Sequence, residues 1–177
     1  RSQVRQPVPG HDLVLTLDAV LQYIVEQELA RGVENARAAW GLVIVMQPST
    51  GEILAMAVHP SFDPADYQTY LPRAHRNPSV ADQFEPGSAM KLFTVAAALE
   101  EGIVTLDTLL DGPAVLHIGG GVIHCHNPFG YGQLSVKDAI AVSCNTALAH
   151  LGAERVGGRL LHEYLQAFGF GHKLGID

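Results

Sequence analysis

Glu85-Pro86-Gly87-Ser88-Ala89-Met90-Lys91, followed by a nearly unbroken apolar run over residues 92–99, decides how the rest of this 177-residue chain is read. Pro86-Gly87 is turn chemistry and the run behind it is helix-compatible, so Ser88 is predicted in the first turn of a helix. Lys91, three residues on, projects from the same face about one turn later. It is the only charged residue between Glu85 and Glu100. A helix apolar on all sides is usually buried, and an isolated buried ammonium tends to lose its proton. A hydroxyl beside a neutral amine is a nucleophile beside its base. The same spacing also suits a serine cap and a lysine reaching past apolar surface to water, so spacing alone leaves both readings open.

A second polar pair follows at Ser143-Cys144-Asn145. Before it, Ser135-Val136-Lys137-Asp138 is a capping-box pattern opening a short apolar helix to residue 142. After it, Asn145 or Thr146 is expected to cap another helix over residues 147–153. Residues two apart on a helix point in different directions, whereas on an extended segment they share a side. A break between the two helices would therefore let Ser143 and Asn145 face one cleft together. Two helix-capping residues are the alternative reading.

Together these motifs resemble the superfamily of penicillin-binding proteins and serine β-lactamases, whose signatures are Ser-x-x-Lys, Ser-x-Asn and Lys-Thr/Ser-Gly. The likeness extends through Pro9-Gly10, Leu15-Thr16-Leu17-Asp18, the stretch from Thr50 to Ala57 and Pro60-Ser61-Phe62-Asp63-Pro64. It continues with Arg76-Asn77, Phe168-Gly169-Phe170-Gly171 and Gly175-Ile176-Asp177. In that order they look like class B penicillin-binding proteins, the monofunctional transpeptidases. Ala89-Met90 stands where the family more often has Thr-Phe, and no Lys-Thr-Gly or Lys-Ser-Gly occurs in the chain.

Composition fits a globular piece. Hydrophobic content of 47% with 16% charged residues does not suggest disorder. A net charge of -7 argues against a nucleic-acid surface. No apolar run approaches the ~18 residues of a membrane span, and no signal sequence is evident. Cys125 and Cys144 are too few for a disulfide framework. His124-Cys125-His126 invites a metal reading, but adjacent side chains diverge and no second ligand pair is spaced to meet them, so no metal and no cofactor is expected. Gly119-Gly120-Gly121 lacks the strand-to-helix setting of a phosphate loop and reads as a turn between Val115–Ile118 and residues 122–124.

Residues 1–10 read as a connector and 11–177 as the N-terminal part of a transpeptidase domain. Asp18 is predicted to cap a helix over residues 19–30, its apolar face built from Val20, Leu21, Ile24, Val25 and Leu29. Gly41–Met46 and residues 52–58 read as a β-hairpin covered on both faces. The Pro-rich stretch 59–83 reads as a long loop with short helical turns, and the remainder as mostly helical, ending with residues 159–167. The expected class is α+β, a helical cluster packed on an antiparallel sheet in the β-lactamase/transpeptidase manner, incomplete in this chain. The hairpin is too apolar for an open edge, so its partner strands and the third motif are expected beyond residue 177.

The resemblance implies a mechanism with the cleft between sheet and helical cluster. Ser88 would attack a carbonyl as neutral Lys91 takes its proton, although the base is disputed in parts of the superfamily. Ser143 would relay a proton to the leaving amine, while Asn145 would hold Lys91 and bind substrate backbone. The substrate implied is a peptidoglycan stem peptide ending in D-Ala-D-Ala, with β-lactam antibiotics acylating the same serine. Cell-wall glycosyltransferases and division or elongation proteins are the implied partners, and the extracytoplasmic face of the plasma membrane, with an anchor upstream of Arg1, the implied location. A D,D-carboxypeptidase, a β-lactamase or β-lactam sensor, and a degenerate scaffold without activity stay open as alternatives.

Overall fold

The computed structural model describes residues 10–173 and Gly175, and the chain divides into two compact units meeting in sequence at Gln83 and Phe84. Most of the expected connector, and Ile176-Asp177 of the closing motif, lie outside the described residues.

In the first unit, Asp18 opens helix α1 (Ala19–Ala36), its carboxylate accepting from the N–H groups of Val20 and Leu21 at 2.9 Å. The helix runs beyond residue 30 because Gly32 does not interrupt it. Val33 continues the apolar row, and the helix ends on Arg37 in a left-handed conformation, φ 50°. Strands β1 (Gly41–Met46) and β2 (Ile53–His59) pair antiparallel, with Gly41 opposite His59 and a bulge at Val45/Met46. The small residues Ala55 and Ala57 are buried, and a Cβ at Gly41 would lie 2.8 Å from Val33 Cγ2, so this face packs close under α1. The expectation of cover on both faces is not met. Ile44 and Met46, which point the other way by strand alternation, are 40% and 52% exposed.

Among the described residues, the outer edge of β2 is covered by side-chain and backbone groups of α1 and the segment before it rather than by a strand. Gln22 on α1 donates from Nε2 to the Met56 carbonyl at 2.9 Å and accepts from the Met56 N–H at 2.8 Å, reproducing both hydrogen bonds of a paired residue. Asp18 N–H donates to Leu54 O and Thr16 Oγ1 to Ile53 O. From Pro60 to Gln83 the chain forms 3-10 turns at Pro64–Thr69 and Pro72–His75 and the short helix α2 (Pro78–Ala81).

The second unit begins with a 3-10 turn, Gly87–Ala89, that runs directly into α3 (Met90–Glu100). Gly87 has φ +57°, the conformation glycine takes most easily. Four short strands then follow where mostly helix was expected. They are β3 (Leu109–Gly112), β4 (Val115–Ile118), β5 (Gly121–His124) and β6 (Gly132–Ser135). β4 and β5 form the hairpin read from the triple glycine, its turn made by Gly119 and Gly120 at positive φ. β3 pairs with β6 across the 19 residues 113–131, a pairing that no local pattern announces.

Ser135 caps α4 (Val136–Ala141), accepting from Asp138 N–H at 3.1 Å while its hydroxyl donates to the Asp138 carboxylate at 2.6 Å. After α5 (Asn145–His150) comes a turn of π-helix, Leu151–Val156, and then α6 (Gly158–Ala167). The core of this unit joins Val95, Ala97 and Ala98 of α3 to Leu110, Leu134, Val136, Ala139, Cys144, Leu148 and Leu151. Helix α3 is not buried all round, because Leu92 and Leu99 are 57% and 37% exposed. Among the described residues no helix is long and apolar enough to cross a membrane.

Candidate active site

All four residues singled out in the sequence lie in the second unit, and three of them converge on the fourth, Lys91. Its Nζ is 3.3 Å from Ser88 Oγ, one turn earlier, as the helical spacing requires. It donates to the Ser143 carbonyl at 2.7 Å, to Ser143 Oγ at 2.8 Å and to Asn145 Oδ1 at 2.6 Å. Ser143 Oγ in turn donates to Ser88 Oγ at 3.1 Å. The amine is therefore not the isolated charge expected from the bare helix. Burial holds it below its ordinary value of 10.5, with the nearby Cys144 and Cys125 thiols acting in the opposite direction.

Two of these partners, the Ser143 carbonyl and Asn145 Oδ1, can only accept. In the neutral amine they occupy both N–H groups, which turns the remaining lone pair toward the two serine hydroxyls. The arrangement can accept a proton from Ser88 directly or through Ser143. Ser88 is exposed and Lys91 half-buried, so the hydroxyl is reachable while the amine is partly withdrawn from water.

Ser143 and Asn145 converge by a different route from the one expected. The segment is not simply extended. Ser143 is left-handed at φ 52° and Cys144 is extended at φ -64°, ψ 113°. Asn145 is already the first residue of α5, and neither it nor Thr146 caps the helix; Cys144 occupies the cap position without a side-chain bond. Asn145 instead donates from Nδ2 to the His124 carbonyl at 3.2 Å, which fixes its amide with Oδ1 toward Lys91. The Ser143 and Cys144 N–H groups donate back to Ile140 and Ala139 at 2.9 and 2.8 Å. His124 thus contributes through its backbone, for which its side chain gave no sign. Thr146, the other candidate cap, is fully buried and donates to the Pro113 carbonyl. Cys125 and Cys144 are both buried and unbridged.

Residues 41–177 match the penicillin binding protein transpeptidase domain. This chain belongs to that family. Stage V sporulation protein D of Bacillus subtilis is 42% identical over 97% of this chain and 27% of its own length. The peptidoglycan D,D-transpeptidase MrdA of Acinetobacter baumannii is 30% identical over 98% of this chain and 27% of its length. The crystal structure of penicillin-binding protein 3 from Mycobacterium tuberculosis complexed with ampicillin superposes with a TM-score of 0.86 at 30% identity. That match covers 96% of this chain and 38% of that one. The class B likeness and the α+β transpeptidase fold read from the motifs agree with these relatives. The chain spans about a quarter of the length of the curated relatives it matches.

Proposed function

We propose that this chain carries the acylating residues of a serine D,D-transpeptidase. The observation that carries the reading is the set of contacts from Lys91 Nζ, 2.6–3.3 Å from groups on Ser88, Ser143 and Asn145 at once. Ser88 Oγ forms a bond to the carbonyl carbon of the penultimate D-Ala of a peptidoglycan stem peptide. Its proton passes to the Lys91 lone pair. As the tetrahedral intermediate collapses, the C–N bond to the terminal D-Ala breaks and Ser143 relays the proton to the departing amine. Asn145 holds Lys91 and bonds the substrate backbone. The Ser88 N–H, at the start of a helix whose dipole favours negative charge, supplies one oxyanion donor, a group worth about 3–4 kcal/mol in other enzymes. An amine from a neighbouring stem then takes the acyl group and forms the cross-link, and β-lactams acylate the same serine.

The wider reading rests on the same relationship. Further strands and a Lys-Thr/Ser-Gly motif beyond residue 177 complete the sheet and the second oxyanion donor. The domain works at the extracytoplasmic face of the plasma membrane, anchored upstream, beside glycosyltransferases and division or elongation proteins. The test is covalent labelling of the full-length protein by a fluorescent penicillin. Ser88→Ala should remove all labelling while the protein stays folded. Persistent labelling, or an adduct mapped by mass to Ser143, overturns the assignment.

A further inference from the structure

Thr146 is the one polar side chain among the described residues that is completely buried. Its Oγ1 lies 2.7 Å from the Pro113 carbonyl and 3.5 Å from Cys144 Sγ. The Pro113 carbonyl can only accept, so the Thr146 hydroxyl must donate to it. The thiol must then donate to Thr146. A directed chain results, Cys144 S–H to Thr146 O–H to Pro113 C=O, with no donor left over. It joins the start of α5 to the crossover between β3 and β4. The neighbouring carbonyl on β5, His124 O, takes the Asn145 amide. On the other side of Cys144, Gly112 leaves room for the sulfur, since a Cβ there would come within 3.1 Å of Sγ and 3.0 Å of Leu134 Cδ2.

The segment held this way is under local strain. Ser143 is a non-glycine residue at φ 52°, and such a conformation persists only where its surroundings over-determine it. Both lysine-facing oxygens of Ser143 depend on that conformation. A relaxation to negative φ would swing the carbonyl and the hydroxyl away from Nζ.

We propose that Thr146 is a positioning residue for acylation: its buried hydroxyl, clasped between Cys144 and Pro113, locks the left-handed Ser143 turn that presents acceptors to Lys91. This rests on the acylation reading given above. Thr146 touches no reacting atom and acts through Ser143 and Asn145.

The test compares Thr146→Val, Thr146→Ala and Thr146→Ser in the full-length protein, following acylation by a chromogenic penicillin from low to saturating concentration. Valine and alanine lose the hydroxyl; serine keeps it. The two hydroxyl-free variants should acylate at least about tenfold more slowly at saturation, the scale of loss expected of a misplaced catalytic group. Their half-saturation concentration should be unchanged, and Thr146→Ser should stay within about threefold of the parent. Gly112→Ala pushes on the same sulfur from the opposite side and should slow the saturated rate in the same way, which supplies the reading if the Thr146 variants fold poorly. Parent-like saturated rates in the hydroxyl-free variants, or serine as slow as valine, overturn the proposal. So does a loss confined to half-saturation. Ser88→Ala run alongside separates the two levels: if it still labels, the acylation reading has failed; if it alone is silent and Thr146→Val is normal, only the positioning role has failed.

Discussion

In residues 10–83 only Ala55 and Ala57 are sealed from water among the described residues, whereas the second unit buries a continuous cluster from Val95 through Leu110 and Val136 to Leu151. The contrast follows from layering. The first unit lays one helix on one face of a two-stranded sheet, and a sheet so small is marginal without more cover. The second interleaves helices with two strand pairs, so α3, α5 and β3 meet on several sides. Among the described residues, every hydrogen-bond partner of Lys91 Nζ comes from that better-packed unit. A site that depends on distances near 3 Å needs supports whose rotamers are locked by packing, and here those supports are local.

The largest effect that could break this view is at the amine. Lys91→Arg keeps the charge but cannot deprotonate, so acylation by a penicillin should fall by about 10²–10⁴, the range of general acid–base catalysis. An arginine variant with a normal rate would remove Lys91 from the chemistry. The parent rate should also depend on pH in a definite sense. Burial lowers the Lys91 pKa below 10.5, so the unprotonated fraction, and with it the rate, rises with pH until the lowered value is passed. Stability follows the same sign: between the lowered value and 10.5 the unfolded chain binds more protons than the folded one, so the fold gains as pH rises through that window. A saturated acylation rate that shows no rise with pH up to a plateau reached below 10.5 would contradict the assignment.

Next in size is the packing difference. Leu151 is fully buried in the π-turn and belongs to the central cluster, while Leu13 is 87% exposed. Leu151→Ala should cost about 2–5 kcal/mol in chemical denaturation, and Leu13→Ala should stay within about 0.5 kcal/mol. Equal losses at the two positions would show that exposure in this structure does not report where the stability resides.

The legible parts were those with local causes. Asp18 before an apolar periodic run, Ser135 three residues before Asp138, and glycines between Ile118 and Val122 each state their structure within a few residues. The lysine spacing likewise placed Ser88 and Lys91 on one helical face. Ser143 and Asn145 were named from a short motif, but their convergence depends on a left-handed serine that local pattern would place elsewhere. The strands β3 and β6 escaped because each is four residues long and their pairing partners are remote in sequence. Thr146 offers itself beside Asn145 as a candidate cap because Thr and Asn both favour that position; its actual partner, the Pro113 carbonyl, is 33 residues away.

The smallest effect tests how the thinner unit protects its sheet. An unpaired strand edge offers free N–H and C=O groups to other chains, and Gln22 answers this at Met56 by supplying one donor and one acceptor from a single amide. Its Nε2 also bonds Glu26 Oε1 at 2.7 Å, which holds the amide in that orientation. Gln22→Leu keeps helix propensity and approximate bulk but deletes both bonds. The Met56 groups are only part-buried, so water can replace some of what is lost. The cost should therefore fall near the lower end of the ~1–3 kcal/mol range for an unmade buried pair. Amide hydrogen exchange at Met56 should accelerate by about tenfold, the equivalent of ~1.4 kcal/mol if opening is global. The variant should also self-associate more readily at high concentration, while penicillin acylation stays within about twofold because the hydrogen-bond partners of Lys91 Nζ among the described residues all lie in the second unit. Unchanged exchange at Met56 would mean that the edge is closed by something other than Gln22, and the contrast between a sealed unit and a side-chain-clamped one would have to be redrawn.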